Sequence, residues 1–427
     1  MRLERFAVSG FKSIREEVVL EPLHDINVLH GPNNVGKSNV LAAIDLLFRA
    51  LSDRTNQPWP TDWVSGALAS PFGNVFNALH PMMPGDLRAV VSLTEGEAAA
   101  VAVLAADQVR GAEIHVVLER SAGNVRFKAD RLRPLPSSRT DDAVGLSADY
   151  LKKLSGLLCS GELMGQQLGG TGFELISTHR TGSEGEGLVA QDLRHRLFAA
   201  HFSKDPVIRR RWDALLEAVS VLQPELGPGS LIPTFEDDKG DVSFQLEEGP
   251  ILPLSALGTG VQQAINLLAR LLLSRSPIVG IEEPELNLSY DLQRRLLEAL
   301  RRMVGSPERG PTQLFITSHS PAFDCADTFF EVDMRDRATV VTLMKTERAI
   351  EKTFGPVLTE ADLRVRFDGD LEPAGWVTRE GLVELPESVR EGMGLTHGRK
   401  VYFIRRDDGP FEMLTAEDLE RLWGQEP

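Results

Sequence analysis

The sequence predicts an α/β protein with a smaller β-rich module at its C-terminal end. Three observations predict it. A short apolar run, Ile26-Asn-Val-Leu29, leads through a glycine loop into Asn39–Phe48, where apolar residues recur at i, i+3, i+4 and i+7. Two later apolar runs, beginning at Pro277 and Gln313, end in clusters of polar residues. Near the C-terminus, Val383 and Leu385 alternate as a strand face does, and Pro386 and Gly394 bracket a short helix at the positions each residue favours.

The loop is Gly31-Pro-Asn-Asn-Val-Gly36-Lys37-Ser38, which fits G-x-x-x-x-G-K-[ST]. Strand, glycine loop and helix are the context that this motif needs. Glycines let the backbone wrap a phosphate, while free N–H groups and a helix N-terminus attract its charge. Lys37 then reaches the β- and γ-phosphates, and Ser38 holds Mg²⁺.

The totals bound the rest. A chain of 427 residues exceeds one core, so two or three domains are expected. With 42% hydrophobic and 25% charged residues, the composition is that of a globular protein. A net charge of −16 argues against a surface that coats DNA, though not against a local basic patch. Two distant cysteines, Cys159 and Cys325, form no disulfide framework and suit a reducing cytoplasm. No signal core opens the chain, and no apolar run is long enough to span a membrane.

Taken in order, Leu3–Val8 and Glu17–Leu20 read as strands around the turn Ser9–Ser13. Residues 52–85, rich in Pro, Gly and Asn, read as a surface loop with one helical turn. Leu87–Leu93 and Glu113–Glu119 read as strands around the helix Glu95–Ala106, and Val125–Lys128 as a hairpin arm. Residues 134–222 form a helical excursion, with a helix near 148–158, a returning strand Phe173–Ser177 and helices over 188–222. Ser230–Leu246 reads as a strand pair with a turn at 237–240.

Residues 253–320 hold three further pieces. Leu254–Gln263 carries glycines that open an apolar helix, a ready anion site. Pro277-Ile-Val-Gly-Ile-Glu-Glu-Pro-Glu285 runs a strand into adjacent carboxylates. Beside the loop strand, Glu282 is placed for the Mg²⁺ shell and Glu283 for orienting or deprotonating an attacking water. Gln313-Leu-Phe-Ile-Thr-Ser-His-Ser-Pro321 delivers His319 to a strand's C-terminal end, the ligand edge of parallel sheets.

Gly31–Ser38, Gly258-Thr-Gly-Val-Gln262, Ile281–Glu285 and Thr317–Pro321 together resemble the Walker A, signature, Walker B and His-switch motifs of ABC-type ATPases. Within these, the chain is most similar to the RecF/SMC/OLD-like group, whose N-terminal adenine-side turn resembles Phe11-Lys-Ser-Ile14. The resemblance covers residues 1–345 and implies a P-loop head of ABC type, a mixed sheet with a helical lobe. It implies ATP and Mg²⁺ as cofactors. Lys12, Asn33, Asn34, Gly36, Lys37, Ser38 and Asn39 would contact nucleotide, with Thr259 and Gly260 capping it from a second subunit. Glu283, His319 and Lys37 would be catalytic, and Ser38 and Glu282 would hold the metal. Thr178-His-Arg180 resembles an arginine turn of OLD-like heads, and no Q-loop glutamine stands out. There is no long heptad run of an SMC arm, and the acids after Pro321 lack nuclease spacing.

After a charged connector, 346–370, residues 371–427 resemble the AbrB/MazE swapped-hairpin fold through Gly381, Leu385-Pro386, Val389-Arg390, Gly394-Leu395 and Gly398. That family interleaves two chains, which implies homodimerisation. Residues 376–427 carry 7 Lys and Arg against 11 Asp and Glu, a balance that disfavours phosphate contact.

The resemblances imply a cytoplasmic ATPase, a homodimer or higher even oligomer with no membrane partner, that controls a separate effector protein. Defence against phage or a toxin–antitoxin module is the implied setting. A RecF-type DNA maintenance ATPase and an ATP-responsive DNA-binding regulator stay open as alternatives.

Overall fold

Strands buried on both faces build the sheet that carries the glycine loop. The computed structural model describes residues 1–52, 63–65, 69–70, 73–74, 83–101, 109–121, 124–136, 172–177, 191–236, 239–323, 328–344, 401–405 and 411–415. They divide into two units, Met1–Lys345 and Thr346–Pro427.

The first unit opens with β1 (Arg2–Ser9), β2 (Val18–Leu20), β3 (Ile26–His30) and helix α1 (Lys37–Ser52). Short strands β4 (Trp63–Ser65), β5 (Ala69–Ser70) and β6 (Gly73–Asn74) follow, where a loop with a helical turn was expected. Val64 at the centre of β4 pairs with Arg126, so a partner strand decides what the Pro- and Gly-rich composition did not. Next come β7 (Gly85–Ser92), α2 (Glu95–Val101), β8 (Val109–Ser121) and β9 (Asn124–Pro136). They complete a six-stranded antiparallel sheet in the order β2-β1-β7-β8-β9-β4.

The expected excursion is interrupted by β10 (Phe173–Ser177), an edge strand of the central sheet. Its proposed helix near 148–158 and the turn at 178–180 lie outside the described residues. The helical lobe consists of α3 (Gln191–His201), α4 (Pro206–Ser220) and α5 (Gln223–Leu226), with the small sheet β11 (Gly229–Glu236), β12 (Lys239–Leu246) and β13 (Ile251–Pro253). Asp205 caps α4 by accepting from the Val207 N–H, with Pro206 at the first helical position. Helix α6 (Thr259–Leu273) follows, and half-buried Arg211 donates to the Leu272 and Ser274 carbonyls at its end. The unit closes with β14 (Ile278–Glu282), α7 (Tyr290–Met303), β15 (Gln313–Ser318), β16 (Thr328–Arg335) and β17 (Ala338–Met344).

The central sheet has the order β10-β14-β15-β3-β16-β17, parallel except for the β16–β17 hairpin. Every residue of β3, β14 and β15 is buried, as both-sided burial of parallel strands demands. Two corrections to the sequence reading arise here. Strand β14 was expected beside β3, but β15 lies between them. No strands were assigned over 328–344, yet this hairpin extends the sheet past β3. Its turn, Asp336-Arg337, has φ of 49° and 61°, the left-handed pair of a two-residue hairpin turn without its customary Asn-Gly.

One core joins both sheets: Phe6, Phe11, Phe48, Phe173, Phe315 and Phe330 belong to a single buried cluster. The Phe48 and Phe173 rings stack at 6.3 Å and 12°, holding α1 against β10. Replacing either by alanine typically costs about 3–5 kcal/mol. Among the described residues, no helix is long and apolar enough to cross a membrane.

In the second unit, β18 (Val401–Arg405) pairs antiparallel with β19 (Phe411–Thr415). The residues that carry the swapped-hairpin resemblance, 381–398, lie outside the described residues.

Candidate functional site

Register brings the expected motifs to one edge. Glu282 pairs with Thr317, Thr317 with Leu29, and Ser318 with His30. The C-terminal ends of β14, β15 and β3 are therefore level. The carboxylate pair, the histidine and the glycine loop leave the sheet side by side, although β14 is not the neighbour of β3.

The loop is shaped by what packs behind it. Gly36 has φ 101°, and a Cβ there would sit 2.0 Å from Thr339 Oγ1 and 2.8 Å from Ser13 Oγ. A Cβ on Gly31 would meet the Val332 carbonyl oxygen at 2.2 Å. Asn34 adopts φ 64°, a conformation that asparagine tolerates. Thr339 donates to the Val35 carbonyl at 2.9 Å, and its hydroxyl lies 2.6 Å from that of Ser13. The hairpin that sequence reading missed thus braces the loop, and neither Thr339 nor Ser13 lies in a motif that announces this. Gly36→Ala is expected to lose about 2 kcal/mol of stability through backbone strain and displacement of Thr339. A thermal melt matching wild type would contradict that.

Lys37 is buried, and its ammonium donates to the carbonyls of Gly31 at 2.6 Å and Pro32 at 2.9 Å. Burial lowers its pKa below the ordinary lysine range, and the charges of Glu283 and Glu285 partly oppose this. Asn33 and Asn34 are exposed at the loop's tip, and Ser38 and Asn39 are half-buried. Asn39 donates from its amide to Ser13 Oγ at 2.6 Å. Lys12 has φ 50°; burial lowers its pKa while Glu282 opposes. Ser13 thus ties the Phe11–Ile14 turn to Asn39 and Thr339 beside the loop, and Lys12 feels the charge of Glu282.

Glu282 is buried at the end of β14, and Glu283 follows with φ 44°. The Glu283 N–H donates to the Thr317 carbonyl at 2.9 Å, which fixes this left-handed residue against β15. A single hydroxyl and a single carboxylate, Ser38 and Glu282, match the sparse protein ligation of Mg²⁺, which keeps waters and takes substrate phosphates.

One carboxylate was quoted in the sequence motif but given no role. Glu285 is buried, and its Oε1 accepts from Ser318 Oγ at 2.8 Å, from the His319 N–H at 2.8 Å and faces His319 Nδ1 at 3.0 Å. Its Oε2 is buried with no hydrogen-bond partner among the described residues, a cost of about 1–3 kcal/mol. Gln293 on α7 donates to the Glu285 and Leu288 carbonyls, so the turn is anchored from below.

Thr259 and Gly260 open α6, and Gly260 packs beside Asn287 and Leu288, in the segment that follows β14. Gly258 and Thr259 are exposed, and nothing lies within 4 Å of a Cβ placed on Gly258. Among the described residues, no backbone hydrogen bond joins Thr259 or Gly260 to Gly31–Ser38.

Fold and site together define a P-loop nucleotide-binding core of the ATPase-head type. Residues 203–325 match a family described as "AAA domain, putative AbiEii toxin, Type IV TA system". Over the larger part of the chain, the fold is similar to an Smc head solved bound to the C-terminal winged-helix domain of ScpA. Identity is 14%, the TM-score is 0.52, and the match covers 82% of this chain and 100% of that one. The SMC head domain from Thermotoga maritima aligns at 15% identity and a TM-score of 0.47, covering 81% of this chain and all of that one. No curated protein matches the sequence. At 14% identity the likeness to the ScpA-bound head establishes an SMC-head fold and nothing finer.

Proposed function

We propose that this chain is an ATP-hydrolysing switch whose heads pair across two bound ATP molecules. The observation that carries the reading is the level edge of β3, β15 and β14, with Lys37 inside the electrostatic reach of Glu283 and Glu285. Lys37 and the loop N–H groups hold the phosphates. Glu283 accepts a proton from water as it attacks the γ-phosphorus, and His319 contacts that phosphate as the products ADP and phosphate form. Ser38 and Glu282 hold Mg²⁺, which supplies neutralisation of phosphate charge.

Thr259 and Gly260 complete the site from a second subunit, and the C-terminal module keeps that subunit near. The similar Smc head was solved bound to a domain of ScpA, a partner protein. The description of the family matched by residues 203–325 names a toxin of a toxin–antitoxin system. The first favours a head that works with a partner protein and the second a toxin–antitoxin setting; on the motif resemblance we read the chain as a cytoplasmic ATPase that governs a separate effector, in phage defence or such a module.

Mixed dimers test the composite site. Lys37→Ala and Gly260→Asp should each be inactive alone. Mixed, they share one site with both defects and one with neither, so part of the turnover returns. No recovery in verified mixed dimers would sink the reading.

A further inference from the structure

We propose that Glu285 is the positioning residue for His319, holding its imidazole so that Nδ1 carries the proton and Nε2 faces the γ-phosphate. The inference deepens the proposed ATPase function and rests on it for its catalytic consequence.

Three donors converge on one oxygen. The Ser318 hydroxyl and the His319 backbone N–H each lie 2.8 Å from Glu285 Oε1, and His319 Nδ1 lies 3.0 Å from it. An ionised carboxylate only accepts hydrogen bonds, so the nitrogen facing it bears the hydrogen. The other ring nitrogen is then set by elimination, the arrangement by which a carboxylate fixes the tautomer of a working histidine. The His319 ring is otherwise free to turn: its side chain is 43% exposed, against 3% for Glu285. A buried, anchored group thus orients an exposed one. The backbone bond fixes where the ring leaves the strand, and the side-chain bond fixes its rotation.

The second oxygen gives an independent reason to look beyond architecture. A carboxylate kept only to tie β15 to the turn after β14 would be satisfied by its neighbours. Glu285 Oε2 instead lies buried without a hydrogen-bond partner among the described residues, and the charge of Glu285 reaches Lys37. The carboxylate thus holds the histidine directly and acts on the phosphate-binding lysine through its charge. Sequence spacing alone could not assign it, because the role depends on β15 lying next to β14.

The test reads the ring directly. In nucleotide-free protein, ¹⁵N imidazole spectra should show His319 as the Nδ1–H tautomer. Glu285→Ala should release it to the mixture seen in free histidine. Its kcat for ATP should fall on the order of 10²-fold, as expected for a misplaced group, with KM unchanged. Glu285→Gln, which keeps an acceptor oxygen, should retain the tautomer and most of kcat. If the alanine variant does not fold, Glu285→Asp carries the same reading, since it withdraws the carboxylate by one methylene. An unchanged tautomer in the alanine or aspartate variant overturns the proposal. So does an unchanged kcat while Glu283→Gln abolishes turnover. A wild-type protein without ATP turnover would instead defeat the proposed function, leaving the tautomer result to stand by itself.

Discussion

Glu283→Gln should lower ATP turnover by on the order of 10²-fold or more while ATP stays bound. The substitution is close to isosteric, and the backbone at this residue is held independently of its side chain. Its N–H donates to the Thr317 carbonyl, and its φ of 44° follows from the turn that Glu282 to Glu285 make at the strand end. Glutamine therefore occupies the same place but cannot take a proton from water. Binding depends on the loop and Lys37, which the change does not touch beyond removing a carboxylate that opposes the lowering of the Lys37 pKa. The variant should accumulate as an ATP-bound head pair, seen by nucleotide retention after gel filtration. Equal turnover in variant and wild type would remove Glu283 from the role of base.

Lys37→Ala should weaken ATP binding by about 2–3 kcal/mol, roughly 30- to 150-fold in Kd, the range of a charge-assisted hydrogen bond to an ionised group. The structure explains why the ammonium is available. It is buried, held by two carbonyls, and desolvated enough that its pKa lies below the ordinary lysine range. Phosphate restores the missing counter-charge, so the Lys37 pKa rises on binding, and Lys37 takes up a proton as ATP binds wherever it is partly neutral in the free protein. The sign follows: affinity is full below the pKa of free Lys37 and falls as pH rises through it. The alanine variant should lack that slope. Calorimetric titration across the alkaline range decides both points, and a variant with wild-type affinity and the same slope would contradict the assignment.

Much of this was legible in residues. Gly31–Ser38 with its flanking apolar runs predicts strand, loop and helix, because local chemistry alone sets that sequence of shapes. Buried runs such as Ile278–Ile281 and Leu314–Ile316 read as strands because parallel strands covered on both faces must be apolar throughout. The strand pair at 229–246 and the strand at 173–177 likewise stand where their patterns put them. Other features carried no local signal. Thr328–Met344 lacks a Gly-bearing turn, so its hairpin shows only as a partner for β3. The short strand at 63–65 exists through pairing with β9.

The sequence by itself determined that a phosphate-binding loop, a carboxylate-ended strand and a histidine-ended strand occur in one chain. Each is a local pattern whose shape follows from neighbours in sequence. Only the tertiary structure decided which strand lies beside which. By placing β15 between β3 and β14, it set Glu285 against His319. By running β16 and β17 past the loop, it set Val332 and Thr339 where only glycine fits opposite them. Those contacts join residues up to some three hundred positions apart, and strand order, unlike strand identity, is settled by the packing of the whole sheet.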